Sequence, residues 1–140
     1  MAPVLMDGSA WRARTLTYRA LVLGQTIVWA VATVVIRFVL HRPRGLGAGA
    51  SAGLLLAILS VVGLGAGLVA YRCGPKGDVG AMRRTVTRTW VWLRAAGLLA
   101  LAGYVLSGEG TCFAAGMLAL VLMHMFGPGR LWNPRGPALE

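Results

Sequence analysis

LGAGASAGLLLAILSVVGLGAGLVAY, residues 46–71, decides the fold. The stretch carries no charge. It exceeds the roughly 20 apolar residues with which an α-helix crosses about 30 Å of hydrocarbon at about 1.5 Å per residue. Strong breakers bound it. Upstream, His41-Arg42-Pro43-Arg44-Gly45 stops any preceding helix, because Pro43 disfavours helical geometry at Arg42 and Gly45 relaxes the turn. Downstream stands Arg72-Cys73-Gly74-Pro75-Lys76-Gly77-Asp78.

Three further apolar runs lie to either side. The first extends over 18–40, with Arg19 and Arg37 near its ends, where long side chains can snorkel to an interface. Ala30-Val31-Ala32 has the small-x-small form of a signal cleavage site, but apolarity continues past it, beyond the length of a signal core. The third run covers 90–106, a tight Ser107-Gly108-Glu109-Gly110 turn follows, and the fourth run covers 111–126 before Gly127-Pro128-Gly129. The expectation is an all-α polytopic membrane protein, four transmembrane helices arranged as two helical hairpins. A basic leader, 1–17, precedes this 18–127 domain and an irregular tail, 128–140, follows it. Segment 79–89 reads as an amphipathic lead-in lying at the head groups.

Composition agrees. The chain is 57 % hydrophobic, against about 45–50 % in soluble domains, and four spans of 140 residues leave little for a soluble core. The formal charge is +10. Its arginines sit at the ends of the apolar runs, which points to orientation and to anionic lipid head groups and away from nucleic acid. With both termini inside, the inner segments hold Arg12, Arg14, Arg19, Arg72, Lys76, Arg83, Arg84, Arg88, Arg130 and Arg135, and the outer ones Arg37, Arg42 and Arg44. The positive-inside rule then places N- and C-terminus on the cytoplasmic side. Trp11, Trp90, Trp92 and Trp132 fall at the inner interface. Cys73 and Cys112 fall near opposite faces, too far apart for a disulfide.

Three features are candidates for function. Gly49-x-x-x-Gly53 and Gly63-x-x-x-Gly67 put glycines on one face of the second helix, where another backbone can approach closely. That helix can belong to the same bundle, to a partner, or to a second copy. Gln25 and Arg94 are polar groups inside the first and third runs; each has a packing explanation, a hydrogen bond across helices or snorkelling to phosphate, beside a functional one. His124, between Met123 and Met125, reads as an interfacial residue rather than a ligand. The acidic residues Asp7, Asp78, Glu109 and Glu140 all lie outside the runs, so an ion-coupled carrier lacks its usual intramembrane carboxylate. No catalytic constellation, metal cluster or cofactor motif is visible, and an enzyme is not expected.

The layout resembles one family, ATP synthase protein I. The likeness is carried by Leu21-Val22-Leu23-Gly24-Gln25 and by the small-residue entry Gly47-Ala48-Gly49-Ala50-Ser51-Ala52-Gly53. Ala70-Tyr71-Arg72, the basic loop, Arg94 early in the third helix and Pro128 after the fourth complete it. Val91 stands where relatives often carry an acid. The resemblance implies a non-enzymatic accessory role in assembling the c-subunit ring of an F-type ATP synthase, with the glycine face docking a ring helix. A small transporter or channel, for an ion such as magnesium, and a structural subunit of another membrane complex stay open beside it.

Overall fold

A computed structural model describes residues 8–39, 48–74 and 78–127. Among them all regular structure is helical. Helix α1 is Gly8–Val34 and runs on as a π-helical turn, Val35–Val39. Helix α2 is Ala48–Cys73, α3 is Val79–Ser107 and α4 is Gly110–Met125. Three segments, Ala10–Val39, Ser51–Cys73 and Gly80–Ser107, are long and apolar enough to cross a membrane; α4 is shorter.

Two helices start earlier than the apolar runs suggest. Helix α1 begins at Gly8 within the basic leader, and α3 takes in the whole of 79–89 without a break. Neither Thr17–Tyr18 nor Thr89–Trp90 holds a helix breaker, so the polar turns extend the apolar ones. Asp78 opens α3, its carbonyl accepting the Met82 N–H at 2.9 Å. Gly108 closes it in the left-handed conformation (φ 67°), its N–H bonding the Tyr104 carbonyl at 2.8 Å. A side chain there would be strained, which accounts for glycine. Extended Glu109 then turns the chain straight into α4.

Helix α3 is the axis of the bundle. Val86, Leu93, Ala96 and Ala100 along it are fully buried. Helix α2 lies antiparallel on it at very close range. A Cβ on Gly63 would sit 3.2 Å from the Ala96 Cβ, one on Gly67 3.2 Å from the Trp92 Cβ, and one on Gly53 would collide with the Ser107 side chain. The small-residue face is therefore taken up by α3 of the same chain at Gly53, Gly63 and Gly67, which leaves a foreign helix no room there. The side-chain surroundings of Gly49 lie outside the described residues.

Polar groups seal the same seam. The Ser60 hydroxyl donates to the Ala96 carbonyl at 2.8 Å. The Cys112 thiol of α4, fully buried, donates to the Gly53 carbonyl at 3.0 Å, so α4 is tied to α2 as well as to α3. Cys73 and Cys112 are both free, one at the end of α2 and the other at the start of α4.

Helix α1 runs parallel to α3 and packs on α3 and α4. It makes few close backbone approaches. Its buried side chains are Trp11, Tyr18, Val22, Gln25, Trp29 and Ile36. They recur in steps of seven, four and three, a heptad stripe that keeps one face on its neighbours. The outward faces are aliphatic: Leu23, Ile27, Val31, Leu55 and Val62 are all more than half exposed.

Close approach at Gly63 predicts a contrast with Gly65, whose Cβ would meet nothing within 4 Å. Gly63→Leu should destabilise the bundle by about 1–3 kcal/mol through overpacking, while Gly65→Leu should leave it unchanged. Thermal unfolding in detergent, followed by circular dichroism, reads both.

Candidate functional site: a polar seam under α1

The seam is built by the heptad stripe of α1 meeting α3 and α4. At one end Trp11 and Tyr18 both stack on Trp90 of α3, with ring centroids 5.8 Å and 4.2 Å apart. Arg83 lies over the Trp11 ring at 5.2 Å, a cation–π contact. Trp11 and Trp90 are thus turned inward on each other, whereas Trp92 is half exposed. Two of these rings also close the end of α4, whose last carbonyls have no partner within the helix. The Trp90 indole N–H donates to the Phe126 carbonyl at 2.8 Å, and the Tyr18 hydroxyl to the Met123 carbonyl at 3.2 Å.

One turn beyond Trp90 stands Arg94, half-buried. It lies on the same side of α3 as Trp90 and Gly97 by helical spacing. No ion pair or hydrogen bond of Arg94 occurs among the described residues. One turn further along α3, Gly97 faces Gln25, whose amide fills the space a Gly97 side chain would need; Ala119 and Met123 of α4 flank the same point. Gln25 is only 5 % exposed, yet neither its Oε1 nor its Nε2 has a hydrogen-bond partner among the described residues. The next turn of α1 brings Trp29, 1 % exposed, stacked on Tyr104 at 5.6 Å and edge-on to Phe113 at 6.1 Å. Its indole nitrogen is also buried and unpartnered. Gly116 on α4 lies directly under that indole.

Gln25 and Arg94 therefore come to one seam on successive turns, but no hydrogen bond joins them. His124 is exposed at the end of α4, its Nδ1 2.8 Å from the Leu120 carbonyl. Among the described residues no three His, Cys, Asp or Glu side chains group as a metal site would need. Sequence reasoning does not single out Tyr18, Trp29, Tyr104 or Cys112. The seven-residue spacing of Trp11, Tyr18 and Gln25, and of Val22, Trp29 and Ile36, is the signal that holds Tyr18 and Trp29.

The charges are as polarised as the rings. Helices α1 and α3 start, and α2 ends, at one end of the bundle. Arg12, Arg14, Arg19, Arg72, Arg83, Arg84 and Arg88 gather there, with Asp78 the acidic residue beside them among the described residues. The opposite end has Arg37 and Glu109 among the described residues. Comparison with protein families, with curated proteins and with solved structures finds no match for this chain.

A buried carboxamide with nothing to bond is a cost in any apolar setting, about 1–3 kcal/mol by mutational measures. Gln25→Leu keeps the volume and removes that cost. In lipid-free detergent the variant should melt at a temperature equal to or above that of the native chain; a lower melting point would show that Gln25 has a partner within the bundle.

Proposed function

We propose that the chain is a non-enzymatic integral membrane protein that acts as an accessory or assembly factor of a larger membrane complex. The ring of c-subunits of a bacterial F-type ATP synthase is the partner to test first. One observation carries the membrane part of the reading. The exterior is aliphatic along three long helices, while the arginines crowd one end. A surface so apolar is unstable in water and at home in hydrocarbon.

On this reading the basic end lies in the cytoplasm, with both termini, by the positive-inside rule. Helix α4, 16 residues long, extends about 24 Å at about 1.5 Å per residue. It crosses as a fourth span in two helical hairpins, with the small mismatch to the bilayer absorbed locally beside its longer neighbours.

The accessory role rests on the resemblance to ATP synthase protein I. Since α3 occupies Gly53, Gly63 and Gly67, a partner helix needs other places for close approach. Gly24 on α1 and Gly65 on α2 face outward, with nothing within 4 Å of a Cβ at either. A channel or carrier is the second reading, favoured by Gln25 and Arg94 in one seam. An uncompensated arginine there repels magnesium and suits an anion.

Tagged protein from native membranes should resist extraction at alkaline pH and bring ring subunits with it. Gly24→Leu together with Gly65→Leu should cut that recovery severalfold while insertion stays intact. Absence of ring subunits from the native preparation would remove this partner; anion flux into liposomes carrying the pure protein would favour the second reading.

A further inference from the structure

Arg94 and Gln25 pose the same chemical question from two directions. Arg94 is a half-buried cation whose own chain offers it no anion among the described residues. A guanidinium carries five N–H donors and keeps its charge in proteins. Gln25, one turn away along the seam, presents a carboxamide that nothing bonds. A group that satisfies both must bring negative oxygen to the arginine and a polar atom about 5 Å further along, one helical turn.

The position says which group fits. Trp90 and Tyr18 mark one level of the bundle, where α4 ends and ring N–H and O–H groups meet its last carbonyls. The exposed indole of Trp92, between that level and Arg94 on α3, is of the kind that favours the boundary between head groups and hydrocarbon. Arg94 lies one turn inside that level, within snorkelling reach of a lipid phosphate. Cation density rises from there outward, with Arg19 next to Tyr18 on α1 and Arg88 on α3, both exposed. Gln25 lies one turn deeper, so a lipid whose phosphate is drawn in to Arg94 brings its ester carbonyls to that level.

We propose that the seam between α1 and α3 is a binding site for one anionic phospholipid, its phosphate held by Arg94 and an ester carbonyl by the Gln25 amide. The proposal rests on the membrane reading given above and is independent of the ring partner. Gln25 reaches the lipid by rotation of its side chain, which breaks no hydrogen bond because it makes none. Lipid bound here wedges beside α1, where the Gln25 amide has no partner among the described residues.

The test uses the full chain, purified in mild detergent and stripped of lipid. It is titrated with phosphatidylglycerol and with phosphatidylcholine of the same acyl chains, and bound lipid is counted by native mass spectrometry. The native chain should retain phosphatidylglycerol about fivefold better, the worth of roughly one basic contact. Arg94→Gln should erase that preference and Arg94→Lys restore it, while Arg84→Gln, an exposed arginine near the start of α3, should leave it in place. Gln25→Leu should weaken retention of both lipids, since the ester carbonyl is common to them. Equal retention of the two lipids by the native chain overturns the proposal, as does an Arg84→Gln loss as large as that of Arg94→Gln. Displacement of bound lipid by glycerol phosphate would assign the site to a soluble phosphate ester and overturn the lipid as occupant. Release of the chain from membranes at alkaline pH would sink the membrane reading itself, a separate result.

Discussion

The backbone of α2 can lie on α3 only because glycine stands at Gly53, Gly63 and Gly67, and the remaining packing follows from that contact. Close approach brings the Ser60 hydroxyl within bonding distance of the Ala96 carbonyl. It sets the Gly53 carbonyl where the Cys112 thiol can donate to it, which fixes α4 against both. In hydrocarbon, lipid tails compete equally for apolar side chains, so helices associate through dispersion at short range and through hydrogen bonds worth about 0.6 kcal/mol on average. Both require the small residues that α2 supplies.

Much of this was legible in the sequence, and the limits have physical causes. The apolar runs and their breakers mark where helices must be, since Pro43 and Gly74-Pro75 cannot be threaded into one. The glycine spacing marks a face of α2 as a place of close approach. It does not say whose backbone arrives, because a stripe of small residues is equally receptive to α3, to a partner and to a second copy. Only the tertiary arrangement shows α3 occupying it. The early starts of α1 and α3 are hidden for a different reason. Hydropathy reports where a helix can enter hydrocarbon, whereas helix continuity depends on breakers, and none occurs between Arg12 and Tyr18 or between Met82 and Trp90.

The site was half legible. Gln25 and Arg94 stand out as polar residues in apolar runs, and each can be read alone. Their convergence depends on α1 packing in parallel on α3, a relation that no local pattern encodes. The heptad of large side chains carries part of that information. It shows that α1 has one buried face of rings and a carboxamide, but not which helices receive it.

Two kinds of packing therefore coexist in one small bundle. Helices α2, α3 and α4 are joined backbone to backbone by small residues and buried hydrogen bonds. Helix α1 is joined through the width of indole and phenol rings. It makes one hydrogen bond to α4 through Tyr18 and leaves the polar atoms of Gln25 and Trp29 unanswered. Stability in a protein is not uniform, and the elements held by fewest satisfied contacts open first. The three-helix unit can stay intact while α1 adjusts, so a ligand that answers the unpaired groups acts on α1 alone. Leucine at position 25 would fill the same volume with no polar atom to satisfy, so the unpaired carboxamide on the buried stripe is the group that the proposed lipid would answer.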